Sequence, residues 1–300
     1  MKTRAKKTFY SGLFIVALTC FCMCDYVKEP FQNFSPAISG VNGIADSMTG
    51  SLDKKIFIED FTGHQCGFCP KALDTINSIS NLFPGRVIAV TIHSGYYAAL
   101  LSPYYTYNFV AADPVTPGYN EIDNFFQVSP NGNPYGMINR IDYPIADYIK
   151  GTDQWKGIAT QIALDTAMVQ LSIKTSTDTL TAHSITSTVK VNYLYNLSGN
   201  YKLATMIVED SIVKPQKDYR FNPDDLLAFT HLHVLRGYMY GAFGEQAGTQ
   251  DPLQNSTDTK TYSITIPSNI LRIKHCSLIA YVYNAVTYEV LQAEELKLIP

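Results

Sequence analysis

The chain has 300 residues, 46% of them hydrophobic and only 16% charged, with 18 Gly and 15 Pro, a balance that excludes a disordered, collagen-like or coiled-coil protein. Lys and Arg total 23 against 26 Asp and Glu, so the net charge of −3 offers no basic excess for neutralising a phosphate backbone, and nucleic acid is not an expected partner. At roughly 100–200 residues per domain the length fits two domains, and six Cys are too few for a disulfide-dense scaffold, so each is read on its own.

Lys2, Arg4, Lys6 and Lys7 precede an apolar stretch at 9–23, which reads as an export signal. No other segment approaches the roughly 18 apolar residues that a membrane-spanning helix needs. Cys20, Cys22 and Cys24 stand where a simple secreted protein would carry small residues before its cleavage site. A Cys there points to bacterial lipidation, at Cys24 or alternatively at Cys20; the other reading is an ordinary signal with chance Cys. The polar, Pro-punctuated DYVKEPFQNFSP that follows suits a tether over 24–50, which puts the start of the folded body at residue 51.

Two apolar runs without alternation, KIFIEDF at 55–61 and RVIAVTIH at 86–93, read as strands buried on both faces. Between them Leu73, Ile76, Ile79 and Phe83 recur at helical spacing until Pro84-Gly85 stops the pattern. CGFC, Cys66 to Cys69, falls where the first strand's loop enters that helix, and Pro70 is tolerated because first-turn N–H groups have no intrahelical partner. A helix N-terminus favours negative charge and so raises the thiolate fraction of Cys66; a thiol near 8.5 is only about 3% ionised at pH 7, one near 7 about half. As a staple the pair would constrain the unfolded chain by only about 2 kcal/mol, against about 5 for a loop of some 200 residues. His64 precedes the pair, but no second CxxC or HxxxH completes a zinc set, and no metal or other cofactor is expected. Redox, structural and metal readings of the pair stay open on the residues alone.

IEDFTGHQCGFCPKALDTI resembles the active-site segment of the thioredoxin fold. That resemblance implies Cys66 as the attacking thiol, Cys69 as the resolving thiol and Asp60, six residues before Cys66, as the buried acid that takes or relays the proton of Cys69. It also implies a cis-proline against the pair, for which Pro134 in SPNGNPYGMINR is the candidate. Gln65 and Phe68 depart from the Trp and Pro usual at those positions, so the redox potential is not carried over. The segment 94–118, with Tyr96, Tyr97, Tyr104, Tyr105 and Tyr107, reads as an insertion that forms either a substrate-binding lid or a packed cover over a sheet edge. DQWKGIATQIALDTA at 153–167, with Trp155, Ile158, Ile162 and Leu164, is the expected closing helix, which ends a thioredoxin-like domain over 51–167.

From residue 168 the pattern alternates, at Val169, Leu171, Ile173; Val189, Val191, Tyr193, Tyr195; Leu203, Thr205, Ile207; Tyr262, Ile264, Ile266; and Leu278, Ala280, Val282. Short antiparallel strands of this kind predict an all-β sandwich, immunoglobulin-like, over 168–300. His231 and His233 share a face if they occupy a strand, as a metal or binding pair or as bystanders. The Gly-rich HVLRGYMYGAFGEQAG, with Arg236, Gly237, Gly241, Gly244 and Glu245, reads as a turn or inter-domain contact and lacks the Lys and spacing of a phosphate loop. Cys276 reads as a small core hydrophobe.

CDYVKEP at 24–30, EDFTGHQCGFCP at 59–70, PYGMINR at 134–140, VEDSIVKPQ at 208–216, HVLRGYMYGAFGE at 233–245 and EVLQAEELKL at 289–298 together resemble the bacterial outer-membrane lipoproteins of the twenty-eight-kilodalton Omp type, common in Bacteroidetes. The resemblance implies a lipidated Cys24 and an anchor in the outer membrane, on its surface or periplasmic face. It implies little about activity; the CxxC at a helix start and the large second domain motivate two functional expectations. One is a membrane-anchored thiol–disulfide oxidoreductase acting on a protein thiol or disulfide of the cell envelope. The other is a non-catalytic binding or adhesion module that uses the β-sandwich and the Tyr-rich insertion.

Overall fold

The computed structural model describes residues 42–47, 50–109, 121–145 and 147–300; the expected signal segment, Cys20, Cys24 and most of the tether lie outside them. The elements run β1 (Asn42–Asp46), β2 (Ile56–Thr62), α1 (Pro70–Leu82), β3 (Val87–His93), α2 (Glu121–Phe126), β4 (Tyr135–Ile138), β5 (Lys150–Gly151) and α3 (Thr152–Ile162). Ten strands follow: β6 (Val169–Asp178), β7 (Ser184–Tyr193), β8 (Tyr201–Glu209), β9 (Ile212–Lys217), β10 (Asp225–His231), β11 (Val234–Tyr238), β12 (Glu245–Ala247), β13 (Thr257–Thr265), β14 (Cys276–Asn284) and β15 (Val290–Lys297). The described chain is therefore mostly β, largely antiparallel, with few helices, and among the described residues no helix is long and apolar enough to cross a membrane.

Side chains alternate across a strand, so a run that is apolar at every position must be covered twice. β2 meets that condition. Ile56 and Ile58 pack with Ala72, Ile76 and Ile79 of α1 and Trp155 of α3, while Phe57 and Phe61 enter a second core on the opposite face. α1 buries Pro70, Ala72, Ile76 and Ile79 and ends before Phe83, with Gly85 at φ +72° turning the chain back into β3. The closing helix is shorter than 153–167: it stops at Ile162, and Leu164 points outward.

A nine-stranded sheet has the order β15-β14-β8-β11-β3-β2-β4-β5, with β12 also paired to β8. β2 and β3 are parallel, β11 joins β3 in parallel at Val234 and Thr91, and the other neighbours are antiparallel. The sheet thus runs across the boundary placed at 167/168, and one core holds Phe57, Val90 and Met137 together with Met206, Tyr281 and Ala293. Glu59 and Arg140, both fully buried, pair through two hydrogen bonds of 2.7 and 2.6 Å, and the guanidinium also donates to Tyr281 Oη at 3.0 Å. The rings of Phe126, Tyr281 and Tyr283 lie 4.9–5.4 Å from the guanidinium carbon.

A four-stranded antiparallel sheet, β1-β6-β7-β13, lays Val169, Leu171, Ile173, Val189 and Val191 against Leu203, Ile207, Leu278, Ala280 and Val282. One of its strands, β1, falls within the expected tether and pairs with β6 from Asn42 to Asp46. Where the sequence reading expected a separate sandwich, the second layer is the extension of the sheet that carries β2 and β3. Covered by these two cores, β8 and β14 are buried on both faces. β9 and β10 form a hairpin outside both large sheets.

Candidate functional site: the covered disulfide

Cys66 and Cys69 are joined in a disulfide with Cα atoms 5.4 Å apart. The Cys69 amide donates to Cys66 O at 3.2 Å and the Ala72 amide to Cys69 O at 2.9 Å, so the pair forms the turn that winds into α1. With Pro70 as the first helical residue, the positive end of α1 lies at the sulfurs and favours a thiolate there after reduction. The Cys66 sulfur is 3.4 Å from the carbonyl oxygen of Asn133, and the Asn133–Pro134 peptide is cis. The loop that carries Pro134 therefore reaches the disulfide.

In the β2–β3 register Asp60 pairs with Thr91 and Thr62 with His93, which puts all four on the sheet face beneath α1. They line a cavity of about 20 Å³ together with Cys69, Gln216, Phe229 and His231, room for about one water molecule. Burial pushes the Asp60 carboxyl up to about 8, and its Oδ1 has no hydrogen-bond partner among the described residues. The acid is therefore neutral at pH 7 and shares a cavity with Cys69.

Both sulfurs are covered: Cys66 is 2% exposed and Cys69 4%. The Pro134 loop lies against Cys66 Sγ, and the β9–β10 hairpin supplies the rest of the cover. Its Lys217 amide donates to His64 O at 2.8 Å and its Tyr219 amide to Gly67 O at 3.0 Å. The buried Gln216 amide donates to Cys66 O at 3.0 Å and Gly63 O at 3.3 Å. Tyr219 lies so close to Gly67 that a Cβ there would sit 2.5 Å from its ring, which accounts for glycine inside the CxxC, and Phe68 meets the same ring edge-on. Arg220 ties the hairpin tip to Asp74 on α1 and to the buried Asp218, and Lys217 holds Asp224 and Asp225 at 3.0 Å each.

The five expected tyrosines divide. Tyr96, Tyr97 and Tyr104 point outward; Tyr105 is buried with its hydroxyl on Asp225, and Tyr107 is half-buried with its hydroxyl accepting from Arg236 at 2.9 Å. The insertion thus braces the hairpin with one part and presents aromatics with the other. His231 closes β10, whereas His233 lies in the following link at φ +56°, its amide donating to Asp210, so the two do not form a pair. In the Gly-rich segment Arg236 is buried with Glu209, 3.2 Å away, and Gly244, at φ +58°, lies where a Cβ would be 1.9 Å from Leu203 O. Cys276 is buried, and burial pushes its thiol up.

Sequence reading did not single out His93 or Phe109. The Phe109 ring stacks on His93 at 4.1 Å, with His231 at 4.4 Å and His64 at 5.5 Å, and the His93 and His231 rings are 5.5 Å apart. All three imidazoles are buried, and burial lowers each below its ordinary value: His231 to about 3, and His93 further depressed by the nearby His231, His64 and Arg236. Neither ring nitrogen of His93 has a hydrogen-bond partner among the described residues. The one available signal was a His closing an otherwise apolar strand, RVIAVTIH.

A β-rich chain whose nine-stranded sheet carries a disulfide at a helix start, under a hairpin from its own second half, defines the class of protein. Residues 120–299 match the family described as Outer membrane protein Omp28, and the chain belongs to that family, which places it at the outer membrane. Among solved structures it resembles HBP35 of Porphyromonas gingivalis, with a TM-score of 0.59 at 16% identity over 83% of this chain and 76% of that one, a likeness of fold. A domain of the outer membrane lipoprotein Omp28 from Porphyromonas gingivalis matches at 20% identity over 45% of this chain and 90% of that one, with a TM-score of 0.29. No curated protein matches the chain.

Proposed function

We propose that this Omp28-family protein is a thioredoxin-like thiol–disulfide exchange protein, lipid-anchored through Cys24, whose Cys66–Cys69 couple acts on a protein thiol or disulfide of the envelope. On this reading β2, α1, β3 and β4 form the thioredoxin-like part, and the β6–β15 half is an immunoglobulin-like sandwich adapted to support it. The observation that carries the proposal is the neutral Asp60 in the cavity that Cys69 lines, its Oδ1 without a partner among the described residues. A buried polar atom without a partner costs roughly 1–3 kcal/mol, and a purely structural disulfide has no use for it.

The exchange runs as follows. A partner thiolate attacks Cys66 Sγ, the Cys66–Cys69 bond breaks, and Cys69 leaves with the electron pair and takes the proton of neutral Asp60. A second partner thiolate then attacks the mixed disulfide, releasing Cys66 as a thiolate that the positive end of α1 stabilises. The partner dithiol is oxidised to a disulfide and the protein disulfide is reduced to a dithiol; the reverse sequence reduces a partner disulfide. With both sulfurs covered, either direction requires the hairpin to move. The test is exchange with a dithiol peptide, read by alkylation of the released cysteines. A Cys69→Ser variant should trap a mixed disulfide at Cys66 after reaction with a disulfide peptide. No exchange at any pH between 5 and 9 overturns the proposal.

The coverage of both sulfurs favours a second reading, in which the disulfide is inert and the exposed Tyr96, Tyr104, Phe68, Tyr219 and Phe221 contact a partner. In that case Cys66→Ser leaves partner binding unchanged, while Tyr96→Ala with Tyr104→Ala weakens it.

A further inference from the structure

The hairpin that covers the disulfide rests on the histidine cluster. His231, the last residue of β10, faces His93 at the end of β3 across 5.5 Å, with Phe109 against both rings and His64 on the other side of Phe109. The same His231 lines the small cavity beside Cys69 and Asp60, so the hairpin's underside touches the redox centre and the imidazoles together. The hairpin pairs with neither large sheet. Its ends are fixed, at one side by the turn at Asp210 and Ser211, at the other by Thr91, whose hydroxyl donates to Leu232 O at 2.9 Å and whose amide donates to His233 O at 2.7 Å. Between those ends it is held over the CxxC by a few main-chain hydrogen bonds, the Gln216 amide, the Tyr219 ring, the Tyr105 hydroxyl on Asp225 and the Arg220 ion pairs.

We propose that the β9–β10 hairpin is an acid-released cap over the Cys66–Cys69 disulfide, with His231 on its underside and His93 and His64 beneath it as the groups whose protonation lifts it. The inference rests on the reading of the disulfide as a reactive centre. A second positive charge cannot be accommodated among three imidazoles packed on one phenyl ring in a buried site, so charging them favours the state in which His231 meets water. Lifting the hairpin hydrates His231 and uncovers both sulfurs in one motion.

The other charged groups facing this site set the sign. Arg236 on β11 adds positive potential at His93, although Glu209 pairs with it. Lys214 offers its carbonyl to His231, while its ammonium lies over the Tyr107 ring. At the hairpin tip Asp218 is held low chiefly by Arg220, and Asp225 by Tyr105 and then Lys217, so both stay ionised at pH 5 and keep their ion pairs. Asp60 on β2 opposes the histidines: it is neutral when covered and ionises more readily in water, so its release favours the open state at neutral pH.

The experiment measures reduction of the Cys66–Cys69 disulfide by tris(2-carboxyethyl)phosphine, with the rate at each pH divided by that of a solvent-exposed model disulfide. Asp60→Asn serves as the background that removes the opposing carboxyl. Restoring one imidazole to its ordinary value of about 6.5 on opening raises the normalised rate roughly twenty-fold between pH 7 and pH 5. Adding His231→Phe should flatten that profile. A flat profile with His231 present, no reduction at either pH, or the same rise in the His231→Phe protein would each overturn the proposal. Should His231→Phe fail to fold, hydrogen exchange with His231 intact decides instead. The Lys217 and Tyr219 amides should lose protection at pH 5, after correction for intrinsic rates, while those of β14 keep theirs; equal behaviour overturns the cap. The phosphine reads exposure of the sulfurs, not exchange with a protein partner. Failure of the exchange reading therefore shows itself separately, as an uncapped disulfide that no dithiol peptide engages.

Discussion

Asp60→Asn is the substitution that most directly tests the electrostatics of the site. The folded-state value of about 8 stands against 3.8 for the free carboxyl, and the side chain is almost fully buried. Between those values the folded protein holds a proton that the unfolded chain has released. The stability associated with Asp60 is fully present below 3.8 and is lost as pH rises towards 8, by about 1.4 kcal/mol per unit. At pH 7 the accumulated loss is about 4 kcal/mol, and at pH 4.5 only about 1 kcal/mol. Asn keeps the shape without the ionisation, so the variant should be more stable than the native protein by about those amounts at the two pH values. The buried histidines are common to both proteins and drop out of the difference. Urea unfolding of the oxidised proteins at several pH values measures it, with the slope m unchanged. A gain that does not grow from pH 4.5 to 7, or a loss at pH 7, would refute the reasoning.

Arg140→Met should cost about 3–5 kcal/mol in urea unfolding, because it leaves Glu59 charged and alone in a dry core, and Glu59→Met in the same chain should recover most of that loss. Gly67→Ala forces the Tyr219 ring aside and should speed phosphine reduction of the disulfide at pH 7 with little change in overall stability; an unchanged rate means that Tyr219 does not hold the cap. Reducing the Cys66–Cys69 disulfide should cost no more than about 2 kcal/mol, the entropy of so short a loop, and a much larger difference between the oxidised and reduced proteins in urea unfolding would mark the disulfide as a structural staple.

The local part of the site was legible because its signals are local. A buried strand reads as an unbroken apolar run, a helix start can be placed from spacing and Pro70, and an acid six residues before a CxxC is visible by eye. The hairpin cap was not, because Tyr219 meets Gly67 and Gln216 meets Cys66 across about 150 residues, and nothing in VEDSIVKPQ says that it will fold back over a disulfide. Nor could the sequence join His64, His93, Phe109 and His231, which approach only because β3, the insertion and β10 end at the same place. Two clues lay in plain view. Glu59 and His93 each interrupt a run that must be buried on both sides, and a polar group there requires a partner or a purpose. Alternation in the second half implies one sheet face on water, whereas β8 and β14 lie between two cores.

The parallel seam between β3 and β11 has a practical consequence. Halting the chain after α3 would strip β3 of its neighbour, open the cluster that holds Phe57 and Tyr281, and bare the disulfide at once. A half-length chain would thus report on collapse and on uncapped sulfurs together. Dissecting this molecule calls for point changes that leave the seam intact, and the strands on either side of α3 are best regarded as one mechanical body.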